Sequence, residues 1–322
     1  VEKEVITVSI CCLSYNHEPY LADAIESFLS QKTDFSFEVL IHDDASTDRS
    51  AAIIKEYEEK YPYIIKAMYQ TENQYSQGVL VDLVNQARAR GKYLAYCEGD
   101  DYWTDPTKLQ RQVDYMEAHP ECSMSVHAAS TVSALKKKVL SDVRPSVGDR
   151  DLTVEELIEG GGEFVATNSI LLAKEKIEPL PEFFHRAVVG DYPLVIYGGL
   201  QGAVHYMDRN MSAYRVGVSG SWTQRELATV EKKGAHMQEI ARMLDEINEY
   251  TDYRYDRSIR VTKERNELHL LLEQGRVAEA KKGKYREQYN QLSLKKIILF
   301  RIKHSFPNVA RLLKAIRWGV SA

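Results

Sequence analysis

The chain has 322 residues, of which 44% are hydrophobic and 28% charged, the composition of a globular protein with one large domain and an appendage, or two domains. Its net charge of −5 is unevenly spread, because residues 281–322 carry eleven Lys and Arg against one acid, Glu287, which leaves −15 on the body and +10 on the tail. An acidic body excludes a nucleic-acid binder, whereas the basic tail suits an anionic surface.

Four cysteines form no disulfide framework. Cys11 and Cys12 are adjacent in a predicted strand, so they point to opposite faces, and Cys97 and Cys122 stand apart. No spacing matches a zinc site, and a reducing compartment is the expectation. The start Val1-Glu2-Lys3-Glu4 leads straight into a strand, and no apolar run approaches the ~20 residues of a spanning helix. The expected location is the cytoplasm, peripheral on the inner face of the cell membrane.

Residues 5–13, rich in β-branched side chains, read as a strand closed by the polar turn Ser14-Tyr15-Asn16-His17-Glu18-Pro19. Leu21, Ala24, Ile25, Phe28 and Leu29 then recur at helical spacing. Residues 37–41 form a second strand ending in His42-Asp43-Asp44, and a helix is expected to start at Ser46 or Thr47 as cap, with Asp48 near its positive end. A strand over 64–69, a helix over 79–90 and a strand over 93–97 follow. Strand and helix alternate four times in about a hundred residues, which predicts a mostly parallel sheet covered by helices on both faces. Ligands of such sheets bind beyond the carboxyl ends of the strands.

Acid collects at those ends. Asp43 and Asp44 follow one strand, and Glu98-Gly99-Asp100-Asp101 follows another. Three carboxylates in four positions raise one another's pKa and oppose folding unless a cation offsets them. All-oxygen ligands favour Mg²⁺ or Mn²⁺, which leave positions open for substrate phosphates. Neither Gly-x-Gly-x-x-Gly nor Gly-x-x-x-x-Gly-Lys-[Ser/Thr] occurs, so a dinucleotide dehydrogenase and a P-loop enzyme are excluded.

A helix is expected from Pro106 to Ala118, capped by Asp105 or Thr104. Beyond it the alternation fades: strands are expected over 123–132 and 165–172, with a polar, turn-rich stretch over 142–152. Asp191 stands at the mouth of another helix, as an N-cap or a functional acid. A short strand over 204–207 and the segment 211–216 lead to the loop 217–222. Two long amphipathic helices follow, over 227–247 and 259–272. Last, Val309, Leu312, Leu313, Ile316 and Val320 face away from Arg311, Lys314 and Arg317, the pattern of a helix lying in a membrane interface.

Three stretches carry a family resemblance. Val8-Ser9-Ile10 through Ser14-Tyr15-Asn16 to Ser27-Phe28-Leu29-Ser30-Gln31, Glu38 through Asp48, and Glu98-Gly99-Asp100-Asp101 together resemble glycosyltransferase family 2 over residues 5–118, with weaker similarity to 222. The resemblance implies a GT-A fold over 1–222, divided into a nucleotide-sugar half (1–118) and an acceptor half (119–222), with residues 223–322 a helical appendage. It implies a nucleotide-diphospho-sugar donor such as a UDP-sugar, a divalent metal and inversion at the anomeric carbon. By position, Tyr15 would lie against the nucleobase, Asp44 would accept its hydrogen bond, Asp100 would contact the ribose or metal, and Asp101 would be the principal metal ligand. Asp191 would be the general base, with Gly190 where the family often has Glu. Tyr214-Arg215 resembles the family's late Tyr-Arg motif, but Gly217 stands in place of its usual His, leaving Arg215 or Ser219 to compensate.

The chemistry needs no covalent nucleophile, only a base for the acceptor hydroxyl and neutralisation of the leaving diphosphate. The expected acceptor is a glycan, a lipid-linked sugar or a protein in surface polysaccharide or glycoconjugate synthesis. A homo-oligomer is possible through the helical region. The alternatives are a metal-dependent nucleotidyltransferase, disfavoured by the missing glycine-rich basic loop between Leu13 and Tyr20, and a non-catalytic glycan-binding or scaffold protein of the same fold.

Overall fold

The computed structural model describes residues 5–306 and Val309. Ten strands form one sheet: β1 Ile6–Ser14, β2 Ser36–Asp43, β3 Ile65–Tyr69, β4 Tyr93–Tyr96, β5 Tyr102–Trp103, β6 Cys122–Ser133, β7 Val139–Val143, β8 Arg150–Leu152, β9 Leu171–Ala173 and β10 Ala203–Val216. Their order is β3-β2-β1-β4-β9-β6-β10-β5, with β7 on β6 and β8 on β10. The first four are parallel, with Ile10 opposite Val39 and Ala95, and Asp43 opposite Tyr69. The later strands add antiparallel pairs, Leu94 with Leu172 and Met124 with Leu172. This is the GT-A arrangement expected from the first hundred residues.

Side-chain alternation decides what lies on each face. Val8, Ile10 and Cys12 of β1, with Val39, Ile41 and Ala95, meet Leu21, Ala24, Ile25 and Phe28 of α1 (Leu21–Leu29), Ile54 of α2 (Ser50–Lys60) and Leu109, Val113 and Met116 of α4 (Lys108–Ala118). The opposite face of β1 carries Cys11 and Leu13 towards Asp82 and Asn85 of α3 (Val81–Arg88). All four cysteines are buried and unbridged, and burial pushes the Cys11 thiol up to about 12. Gly91 is needed before β4, because a Cβ there would lie 2.4 Å from the Ser9 amide nitrogen.

Several local expectations are corrected. Ser46 and Thr47 do not cap α2, which begins at Ser50; the preceding side chains are used instead to bind the neighbouring loop. Helix α4 begins at Lys108, because Asp105 Oδ1 accepts from both the amide and hydroxyl of Thr107 and so makes a turn first. The stretch 142–152 contains the end of β7 and all of β8, strands whose exposed residues lack a hydrophobic alternation. In 165–172 only Leu171 and Leu172 are strand, after a 3₁₀ turn at Thr167–Ser169. The short strand at 204–207 is part of β10, which runs on through 211–216.

By contacts the chain forms two compact units. The first holds described residues 5–132, 141–181 and 190–215, and the second holds 133–140, 182–189 and the described residues from 216 onward. Within the second, helices Val230–Tyr250 and Asp256–Glu273 are joined by a turn with Asp252 and Tyr253 at positive φ. Leu268, Leu271 and Leu272 pack with Ala280 and Tyr289, and with Ile297 and Phe300 of the Leu294–Ser305 helix. The amphipathic segment expected at 309–320 lies outside the described residues apart from Val309. Among the described residues no helix is long and apolar enough to cross a membrane.

Candidate active site

Two loops at the carboxyl ends of β1 and β2 are stitched together by side chains. The amides of Asn16, His17 and Glu18 donate to Ser46 Oγ (2.9 Å), Ser50 Oγ (2.9 Å) and Asp48 Oδ2 (3.0 Å). In return Asn16 Oδ1 accepts from the Thr47 amide at 2.8 Å, and Glu18 Oε2 from that of Arg49 at 3.2 Å. Asn16 and Ala45 take left-handed conformations, φ 57° and 61°, to make these bonds possible. Half-buried Tyr15 is thereby held on a fixed loop. Asp44 accepts from the amides of Gln74 (2.7 Å) and Tyr75 (3.1 Å), one on each oxygen, and pins the loop after β3. Asp43 accepts from the Ser46 amide through Oδ2, while its buried Oδ1 has no hydrogen-bond partner.

The acidic turn after β4 sits against β1. A Cβ on Gly99 would lie 2.9 Å from both His17 Nδ1 and Leu21 Cδ1, so only glycine allows this approach. Buried Asp101 accepts from the Arg215 amide at 2.7 Å and from Asn168 Nδ2 at 2.9 Å. The Arg215 guanidinium donates to the Asp100 carbonyl (2.6 Å), pairs with Asp23 and lies over the Tyr102 ring, so it braces the turn from behind. Burial, then the charge of Asp100, pushes the Asp101 carboxyl well above the usual range. Glu98 is exposed, and desolvation of its carboxyl by surrounding protein, followed by the charges of Asp100, Asp101, Asp82 and Asp191, raises it as well.

Asp191 opens the Asp191–Gln201 helix with Gly190 as N-cap, so it is the first helical residue and not the cap. Its Oδ1 accepts from the Tyr192 amide at 2.7 Å and its Oδ2 from Thr167 Oγ1 at 3.1 Å. Thr167 and Asn168 are neighbours in one 3₁₀ turn, one bonded to Asp191 and the other to Asp101. Tyr214 lies in the same field, its phenol pushed up by burial and then by Asp101, Glu98, Asp100 and Asp191.

The structure thus gathers Asp100, Asp101 and Asp191 with Glu98 and Tyr214, and places Tyr15 and Asp44 on the adjoining loops. Sequence reasoning passed over Asn168, Thr167 and Asp82, which belong to no motif; the one available signal was polar residues in a stretch otherwise read as strand or helix. Among the described residues no three His, Cys, Asp or Glu side chains are grouped as a ready metal cage. Mg²⁺-type sites commonly use one or two carboxylates completed by substrate phosphates and water, and the unneutralised acids of this turn fit a cation of that kind.

The chain matches the glycosyl transferase family 2 domain over residues 9–169. It is 35% identical over 216 residues to an uncharacterized protein of Mycobacterium tuberculosis, covering 67% of this chain and 60% of that one, so the match spans less than two thirds of that relative's length. The UDP-Glc:α-D-GlcNAc-diphosphoundecaprenol β-1,3-glucosyltransferase WfaP of Escherichia coli is 36% identical over 112 residues, 34% of this chain and 41% of its own. Among solved structures, residues 1–349 of Staphylococcus aureus TarS in complex with UDP superpose with a TM-score of 0.56 at 15% identity, covering 97% of this chain and 89% of that one. With its GT-A sheet, its acid turn after β4 and its matched domain, the chain belongs to glycosyltransferase family 2.

Proposed function

We propose that the protein is an inverting, metal-dependent glycosyltransferase that moves a sugar from a UDP-sugar to a hydroxyl of a lipid-linked or glycan acceptor in surface-polysaccharide synthesis. The observation that carries this is the gathering of Asp101 and Asp191 on adjacent residues of one turn, in a field of acids in which Arg215 is already paired with Asp23. The donor and acceptor classes draw support from the activity for which WfaP is named and from the UDP bound by TarS.

Tyr15 packs against the nucleobase, and Asp44, whose two oxygens each keep a lone pair, accepts its N–H. Asp100 and Asp101 would hold the Mg²⁺ or Mn²⁺, which would supply Lewis-acid neutralisation of the departing diphosphate. Asn168 and the Arg215 amide orient Asp101, and the Arg215 side chain fixes the carbonyl of Asp100. Asp191, oriented by Thr167, takes the proton of the acceptor hydroxyl as its oxygen attacks the anomeric carbon. The new bond forms on the face opposite the leaving oxygen, which inverts that carbon. Asp101→Ala and Asp191→Ala both abolish transfer, and only the first weakens metal-dependent nucleotide binding. Full turnover by Asp191→Ala contradicts the base assignment.

The Leu294–Ser305 helix favours a peripheral membrane location. Ile297 and Phe300 face the helical core, while Leu294, Ile298 and Leu299 are exposed beside Lys295, Lys296 and Arg301. Apolar side chains among cations suit an anionic bilayer surface. Deleting residues 291–322 releases the protein from phosphatidylglycerol vesicles while donor hydrolysis persists; retained binding refutes the anchor.

A further inference from the structure

Asp82 lies in the first turn of α3, outside every motif discussed above. Its carboxylate reaches across to the mouth of the Asp191–Gln201 helix: a Cβ on Gly190 would lie 2.6 Å from Asp82 Oδ2. Gly190 has an ordinary backbone conformation, φ −90° and ψ −43°, so its lack of a side chain serves space and not strain. Asp82 also lines a pocket with Glu98, Thr167 and Tyr96. Thr167 is the residue that donates to Asp191, and the buried Tyr96 hydroxyl has no hydrogen-bond partner. The Asp82 carboxyl therefore fills the space beside the residue that precedes Asp191, close enough for the two charges to act on each other.

We propose that Asp82 is a positioning residue for Asp191, a second carboxyl whose negative charge makes Asp191 a stronger proton acceptor. This rests on the reading of Asp191 as the base. A neighbouring anion favours the protonated form of a carboxylate, so the proton drawn from the acceptor is held more firmly. Burial and then the charge of Asp191 in turn raise Asp82 to about 6, so it is largely ionised at neutral pH. The other groups facing the pair are Glu98 from the turn after β4, the phenols of Tyr214 and Tyr96, and the Cys11 thiol of β1. None of these is a cation that would offset the charge of Asp82, and Glu98 is a carboxyl that acts on Asp191 in the same sense.

The test is carbon-13 NMR titration of the Asp191 carboxyl in the full chain with labelled aspartate in Mg²⁺ buffer, the resonance being assigned by its loss in Asp191→Asn. In Asp82→Asn, which keeps the shape and removes the charge, the Asp191 midpoint falls by about one pH unit. Gly190→Ala, which displaces the Asp82 carboxylate, moves the midpoint in wild type and leaves it unmoved in an Asp82→Ala background. A midpoint unchanged in Asp82→Asn overturns the proposal, as does an equal effect of Gly190→Ala in both backgrounds. Turnover is read separately as UDP release from UDP-glucose. Full turnover by Asp191→Asn removes the base reading and the inference with it, whereas loss of turnover with an unmoved midpoint removes the inference alone.

Discussion

The two ends of the parallel strands treat buried acid in opposite ways. At the amino end, Glu38 of β2 is 1% exposed and fully satisfied: Ser9 Oγ donates at 2.7 Å, the Arg90 amide at 2.9 Å and Arg90 Nε at 2.8 Å. These bonds outweigh the opposing effect of burial and hold its carboxyl below the usual range. At the carboxyl end, Glu98, Asp101 and Asp82 are pushed the other way by burial and by one another. Arg215, the cation among them, is paired with Asp23, and through Nη1 it gives the turn a bond to a backbone oxygen. An acid that the fold needs is matched from within the chain; acids left unmatched await charge from outside it. This separates a structural carboxylate from a functional one more sharply than burial does.

The contrast is broken most severely at Asp191. Replacing it with Asn removes the base and lowers kcat by about 10²–10⁴-fold, with little change in thermal stability by calorimetry, because the acid contributes to chemistry more than to packing. At the amino end the outcome reverses. Glu38→Ala leaves the buried Ser9 O–H and the Arg90 amide without an acceptor, although Ser9 Oγ still accepts from the Gly91 amide, and costs about 2–3 kcal/mol in urea unfolding, while nucleotide binding by the folded fraction persists. Because the folded value of Glu38 lies below the 4.5 of the free group, its stabilisation is complete above pH 4.5 and is lost as pH falls through the folded value. The variant loses this pH dependence.

The smallest effect sharpens the comparison by carrying the opposite sign. Asp82 rises from 3.8 to about 6 on folding, so its ionisation costs nothing below pH 3.8, grows costly as pH rises through 6 and is constant above. Asp82→Asn therefore stabilises the protein at neutral pH by on the order of 1–2 kcal/mol, after allowance for partial solvent access. The gain vanishes in acid. An Asp82→Asn variant that is less stable at pH 7 would place this carboxylate among the structural ones.

The nucleotide half was legible because its signals are local. Repeats of apolar residues at period 2 and 3.6 located β1 to β4 and the helices between them, and the acids at Asp43, Asp44 and Glu98 to Asp101 marked the strand ends. The cap of α2 was misplaced because Ser46, Asp48 and Ser50 bond across to residues 16–18, about 30 positions away, where a propensity argument sees only neighbours; that of α4 was misplaced because Asp105 makes a local turn with Thr107. Residues 119–222 were less legible because their strands pair across long separations, as Ser212 does with Trp103. Asn168 offered only its polarity in an expected strand. Its role depends on Asp101 and on the consecutive Ser212 and Ala213 of β10 arriving from two other places.

The measurement that tests the account most directly is calorimetric titration of the protein with UDP, GDP, CDP and dTDP, each with and without Mn²⁺. The acids around Asp101 are read as a site completed by a cation and a diphosphate together. The expected result is tight binding of UDP with metal, little without it, and loss of the metal-dependent part in Asp101→Ala. Equal binding with and without metal, or no binding of any diphosphate, would contradict that reading.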